Sequence, residues 1–211
     1  DRMKKSQTHA TPKVYSLSET TQKIVMIGAS TGGTVALQDL LSRLPKNFPG
    51  IVVVQHMPAS FTKGFAQRLD DVCQVDVKEA EDGDRVQTGQ VLIAPGSHHL
   101  KLSRTGGIYR VKYGDEGVVS GHKPSVDVLF SSAAKFAGAN AIGIILTGMG
   151  KDGAKGLLLM RNAGAKTIAQ DERSCVVYGM PKAAVDIGAA DFIEPLDNIG
   201  SQAIAILKQQ G

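Results

Sequence analysis

Lys23-Ile24-Val25-Met26-Ile27-Gly28-Ala29-Ser30-Thr31-Gly32-Gly33 is the stretch that decides the fold of this chain. An unbroken apolar run, residues 24–27, ending at a glycine reads as a strand buried on both faces of a parallel sheet. Val35, Leu37, Leu40, Leu41 and Leu44 follow at three-to-four spacing up to Pro45, which predicts a helix. A second strand is expected over residues 51–55, and Phe61, Phe65 and Leu69 predict one face of a second helix. Strand, helix, strand, helix is the pattern of a parallel sheet with helices packed on its faces.

Further along, residues 75–120 change character. Short alternating runs at 91–93, 100–102 and 108–111 are separated by glycine-rich turns such as Thr105-Gly106-Gly107, which predicts an antiparallel hairpin inserted in, or added to, the sheet. Pro124-Ser125 then opens a helix through Phe136, residues 141–146 predict a strand, and 154–162 a helix. A strand at 167–169, a short helix at 181–187, a short strand at 191–193 and a helix at 199–208 complete the expectation. The fold class is therefore α/β, a single doubly wound domain over residues 23–211 with a mostly parallel sheet and an added antiparallel hairpin. Residues 1–22 carry no sustained hydrophobic period and read as a polar linker remnant.

Composition narrows the function. With 42% hydrophobic and 21% charged residues in 211, the chain has the makings of one ordinary core and not of a disordered segment. No apolar run approaches the roughly 18 residues of a membrane span, and no signal-like apolar stretch opens the chain, so a cytoplasmic location is expected. Cys73 and Cys175 lack metal-ligand spacing and read as reduced thiols without chemistry. The net charge of +4 comes from scattered Lys and Arg with no Trp and no basic-aromatic patch, so nucleic acid is not the expected partner. Gly is abundant, 24 residues, and much of it stands at the ends of apolar runs.

Those ends are where open parallel sheets bind ligands, because loops and helix N-termini converge there. The first strand delivers Gly28-x-Ser30-x-Gly32, the pattern of a nucleophile elbow, in which flanking glycines permit a sharp turn and following N–H groups can receive an oxyanion. The pentapeptide arises by chance about 0.2 times in a chain of this composition, so its strand-to-helix context carries the argument. Ser30 could also simply cap the helix. A phosphate loop fits poorly: Thr34 stands where a Walker loop needs Lys, and Gln55 and His56 stand where a dinucleotide site needs a carboxylate. His56, immediately beyond the second strand, is the expected base for a serine hydroxyl, since an imidazole titrates near neutrality. His98 and His99 are rivals, and His9 and His122 are less well placed. Asp152, in the loop after the strand at 141–146, can orient that imidazole or else serve the helix that follows. A competing use of the same loop is Gly148-x-Gly150-x-x-Gly153, formally a dinucleotide fingerprint, with Asp171 near the expected ribose carboxylate. That alternative, a dinucleotide-binding protein, leaves Ser30 and His56 unexplained.

Five segments taken together closely resemble one family. Gly28-Ala29-Ser30-Thr31-Gly32-Gly33, Val54-Gln55-His56-Met57-Pro58, Ile93-Ala94-Pro95-Gly96, Pro124-Ser125-Val126-Asp127 and Leu146-Thr147-Gly148-Met149-Gly150-Lys151-Asp152-Gly153 are similar, in this order, to the catalytic domain of the chemotaxis protein-glutamate methylesterases (CheB). The resemblance implies Ser30 as nucleophile, His56 as general base and acid, and Asp152 as orienting carboxylate, with Thr31 and Met149 shaping the site and its oxyanion hole. It implies hydrolysis of glutamate methyl esters, and deamidation of specific glutamines, on the cytoplasmic helices of chemoreceptors, with no metal or organic cofactor and no membrane insertion. It also implies an N-terminal receiver domain in full-length members, for which this chain offers no segment. The chain is accordingly expected to be a catalytic fragment, with residues 1–22 as the linker.

Overall fold

The computed structural model of the chain describes residues 22–210, so the linker expected over 1–22 lies, apart from Gln22, outside the described residues. In chain order the strands are β1 (Ile24–Ala29), β2 (Gly50–Gln55), β3 (Asp76–Glu79), β4 (Gln90–Ile93), β5 (His99–Thr105), β6 (Ile108–Gly114), β7 (Ala141–Ile145), β8 (Lys166–Gln170) and β9 (Phe192–Glu194). The helices are α1 (Gly33–Ser42), α2 (Ala59–Asp70), α3 (Val126–Phe136), α4 (Ala154–Asn162), α5 (Met180–Asp186) and α6 (Leu196–Gln209). Seven strands form one sheet in the order β3-β4-β2-β1-β7-β8-β9, and every neighbouring pair in it is parallel. β5 and β6 make a separate antiparallel pair.

The double winding follows from the two-residue period of a strand. Val25, Ile27 and Ala29 of β1 pack with Leu37 and Leu41 of α1, Phe65 and Leu69 of α2, and Ile199 of α6. Ile24 and Met26 point the other way, onto Leu129 and Phe130 of α3, Leu157 and Met160 of α4, and Ala184 of α5. Because both faces are covered, the strand reads as continuously apolar, and each fully buried side chain contributes about 1.5–3 kcal/mol.

Three expectations need correcting. Residues 91–93 are not part of a hairpin; they form β4, which pairs with β2 and β3 inside the parallel sheet. The hairpin proper lies against α3, with Leu100, Leu102, Tyr109 and Val111 in that helix's cluster and Leu102 N–H donating to Ser132 Oγ at 2.8 Å. Phe61 and Val35, expected on buried helix faces, are 60% and 72% exposed, because the stripes that face the sheet run through Phe65 and Leu69 in α2 and through Leu37, Leu40 and Leu41 in α1.

From β1 the chain builds outward through β2 to β4 and β3, then crosses back and builds through β7, β8 and β9 on the other side. The carboxyl ends of β1 and β7 therefore flank the point where the winding reverses, the place where such sheets form their crevice. Gly28 shows how tightly that region is packed. A Cβ at this position would lie 2.2 Å from Val126 Cγ1 and 2.9 Å from Cγ2, and Val126 is fully buried. Gly28→Ala is expected to lower the unfolding free energy by about 1–3 kcal/mol through overpacking. Urea unfolding checks this, and an unchanged midpoint contradicts it. No helix among the described residues is long and apolar enough to cross a membrane.

Candidate active site

Ser30, His56 and Asp152 leave three strands of this one sheet, β1, β2 and β7, of which β1 is paired with both of the others. The pairing continues past the strand ends. Ser30 N–H donates to Thr147 O at 3.0 Å, and His56 N–H donates to Ala29 O at 3.1 Å, so the main chain of the histidine lies beside the residue preceding the serine. Gln55, which the sequence offered only as a missing carboxylate, ties the two together: its Nε2 donates to Ser30 O at 2.9 Å and His56 O at 3.1 Å.

The turn at Ser30 works differently from the expected elbow. Ser30 does not have a positive φ; that role falls to Gly32, at φ 81°, which caps α1 while Gly33 N–H donates back to Ser30 O at 2.7 Å. Gly28 serves packing under Val126. Thr147 Oγ1 donates to Thr31 O at 2.9 Å and accepts Val177 N–H at 3.0 Å, fixing the far side of the turn. Gly148 comes so close that a Cβ there would stand 2.8 Å from Ser30 Cβ. The N–H groups of Thr31 and Gly32 donate to no acceptor among the described residues. Thr31 is exposed, and Met149, in the loop between β7 and α4, has a side chain 64% exposed.

Asp152 does not cap the helix that follows it, since α4 starts from Gly153 at φ 94°. Its carboxylate instead reaches the N-terminus of α3. Oδ1 accepts Ser125 Oγ–H at 2.7 Å and Asp127 N–H at 2.9 Å; Oδ2 accepts Val126 N–H at 2.7 Å and lies 2.7 Å from His56 Nε2. The Asp152 side chain is fully buried and that of His56 is 9% exposed. Burial alone would raise the Asp152 pKa, but the bond to His56, the two backbone N–H groups and Ser125 outweigh it and hold the carboxyl below its ordinary value. A carboxylate on Oδ2 fixes the proton of His56 on Nε2, which leaves Nδ1 with its lone pair, and Nδ1 is buried without a hydrogen-bond partner. The structure thus joins His56 to Asp152, while the Ser30 hydroxyl forms no hydrogen bond to the ring among the described residues; such bonds commonly tighten only around a substrate.

The rival histidines are placed elsewhere. His98 is exposed and stacks on Tyr113 at 4.3 Å. His99 is fully buried, donates from Nε2 to Gly117 O at 2.7 Å and accepts Ser125 N–H on Nδ1 at 3.0 Å, so it supports the residue that supports Asp152. His9 lies outside the described residues. His122 was undervalued: its ring stacks on His56 with centroids 3.6 Å apart and planes 9° from parallel. The dinucleotide alternative also loses its elements. The three glycines of the Gly148 loop serve close approach to Ser30 and two positive-φ turns, and Asp171 Oδ1 is engaged by Ser174 N–H at 3.0 Å and Ser174 Oγ–H at 2.6 Å.

Comparison with known proteins places the chain in one family. A family model described as CheB methylesterase matches residues 25–203. Among curated proteins, the protein-glutamate methylesterase/protein-glutamine glutaminase of Sulfurimonas denitrificans is 59% identical over 196 residues, 93% of this chain and 56% of that protein. One from Chromobacterium violaceum is 59% identical over 180 residues, 85% of this chain and 51% of its own length. The chain thus spans about half the length of these relatives. The crystal structure of the CheB methylesterase catalytic domain of Thermotoga maritima superposes with a TM-score of 0.85 at 43% identity, covering 90% of this chain and all of that one.

Proposed function

Since the chain belongs to the CheB methylesterase family, we propose that it is a serine hydrolase that cleaves glutamate methyl esters, and deamidates specific glutamines, on the cytoplasmic helices of chemoreceptors. Ser30 is the nucleophile, His56 the general base and acid, and Asp152 the carboxylate that orients it. The observation that carries this reading is the buried His56–Asp152 pair at 2.7 Å, which leaves Nδ1 without a partner on a histidine whose backbone N–H bonds to Ala29 O, the residue before Ser30.

The steps follow from that arrangement. Ser30 Oγ attacks the ester carbonyl carbon as its proton passes to His56 Nδ1, and Asp152 stabilises the imidazolium that forms. The oxyanion of the tetrahedral intermediate meets the free N–H groups at the start of α1, with Thr31 and Met149 shaping that side of the site. Collapse breaks the carbon–methoxyl bond, and His56 returns the proton to the departing methanol. A water then repeats the attack on the acyl-serine, passing a proton to Nδ1, and the product glutamate leaves as Ser30 recovers its hydrogen. With a glutamine side chain the first leaving group is ammonia. Residues 23–211 form the catalytic domain on this reading, 1–22 a linker to a receiver domain, and the protein works in the cytoplasm.

Incubation with methylated receptor is expected to release methanol, and a serine-directed phosphonate is expected to label Ser30 alone, as read by peptide mass spectrometry. Labelling at another serine contradicts the choice of nucleophile. Saturable binding of NAD in calorimetry would favour the dinucleotide alternative instead.

A further inference from the structure

Asp152 grips His56 at a single atom, Nε2, and Nδ1 has no partner, so hydrogen bonding alone leaves the ring free to swing about that contact. A second contact removes this freedom. His122 lies flat on the His56 ring, 3.6 Å away at 9°. It stands at the end of a tight turn in which Val119 and His122 exchange backbone hydrogen bonds of 3.0 and 2.9 Å, with Ser120 at φ 52° and Gly121 at φ 79° between them. Ser120 is the one non-glycine residue with positive φ among the described residues, a conformation that persists only where its surroundings enforce it. Here the enforcement is visible: Ser120 Oγ–H donates to Asp127 Oδ2 at 2.8 Å, and Asp127 Oδ1 accepts Gly156 N–H at 2.7 Å. The turn is thereby pinned to α3 and α4, the two helices whose starts flank Asp152, and what it presents to the site is an imidazole.

We propose that His122 is a positioning residue for proton transfer at Ser30, its flat ring holding the plane of the His56 imidazole. The proposal rests on the serine-hydrolase reading. Neutrality is part of the role, because His56 gains a positive charge at each transfer and a second cation stacked on it would oppose that gain. The titratable groups facing His122 are His56 and Asp152; Ser120 and Gly121 of its own turn carry none, and Lys123 is exposed. Burial and the neighbouring His56 push the His122 pKa below its usual value, against an opposing effect of Asp152, so the ring is uncharged at neutral pH.

Three variants of the chain separate shape from charge. His122→Ala is expected to lower kcat for methanol release by about 10- to 100-fold at nearly constant KM, since a misaligned base affects the chemical step and not substrate binding. His122→Phe, flat and neutral, is expected to recover most of that loss. His122→Arg, flat and cationic, is expected to stay as slow as His122→Ala and to move the acidic limb of the kcat profile to lower pH. In histidine-ring NMR spectra the His56 resonances should keep their ring-current shift in His122→Phe and lose it in His122→Ala. The proposal is overturned if His122→Ala retains kcat within about twofold, or if His122→Phe is no better than His122→Ala despite a preserved ring-current shift. The spectra also distinguish the two possible failures: a chain that releases no methanol but shows the stacking shift refutes the hydrolase reading, whereas an active chain without the shift refutes the role of His122.

Discussion

Alanine in place of Ser30 is expected to lower kcat for methanol release by about ten-thousand-fold or more, the scale on which serine hydrolases lose activity with their nucleophile. The fold should survive. The serine's structural bonds are made by its backbone, N–H to Thr147 O and C=O to Gly33 N–H and Gln55 Nε2, and alanine keeps all three. The hydroxyl contributes no hydrogen bond among the described residues, so its removal leaves no orphaned partner, and the change in unfolding free energy is expected to stay within about 0.5 kcal/mol. Methanol measured by gas chromatography, beside urea unfolding of the same preparation, separates the two effects. A Ser30→Ala protein that is folded and still releases methanol at more than about a hundredth of the original rate would require a different nucleophile.

The parts of this site that were legible in the sequence are those governed by local pattern. A buried parallel strand is an apolar run, and whatever polar residue follows it stands at the carboxyl edge of the sheet; that is enough to bring Ser30, His56 and Asp152 to one side. β3 was missed because it is an edge strand of four residues with a single buried apolar side chain, Val77, so no periodicity marks it. The helix after β7 and the loop before it were placed correctly, and Asp152 was legible as a partner for His56, yet its second use was not visible. A carboxylate just ahead of a helix reads as a partner for that helix, and here it serves the N-terminus of a different one, α3. His122 was undervalued for the same reason. It is neither at a strand end nor in a motif, and only the strained turn of Ser120 and Gly121, anchored through Asp127, lays it on His56. Long-range contacts of this kind have no counterpart in spacing or composition.

Asp152→Asn tests the deepest of these contacts, and it is expected to cost both activity and stability. Every group around the carboxylate is a donor: His56 Nε2 and Val126 N–H on Oδ2, Ser125 Oγ–H and Asp127 N–H on Oδ1. An amide offers one acceptor oxygen, so its NH2 must face donors. On the Oδ2 side it meets Val126 N–H and forces His56 into the tautomer with the proton on Nδ1, which abolishes the base. On the Oδ1 side it leaves the tautomer intact but opposes Asp127 N–H. Because the carboxylate bond to His56 also stabilises the imidazolium, kcat is expected to fall by a factor on the order of 1,000 to 10,000 in either orientation. Unsatisfied buried donors are expected to lower the unfolding free energy by about 2–4 kcal/mol at pH 7. The stability difference should itself depend on pH. The folded-state pKa of Asp152 is lowered, burial opposing and the four hydrogen bonds prevailing, so the ionised carboxylate contributes fully above the unfolded-state value near 4 and its contribution disappears as pH falls through the lower folded-state value. Urea unfolding of the two proteins should therefore show a constant gap from about pH 5 to pH 8 that narrows below about pH 4. A gap that widens towards acid would contradict the ionised, hydrogen-bonded carboxylate, and an Asp152→Asn enzyme with undiminished kcat would show that this residue holds α3 in place without orienting His56.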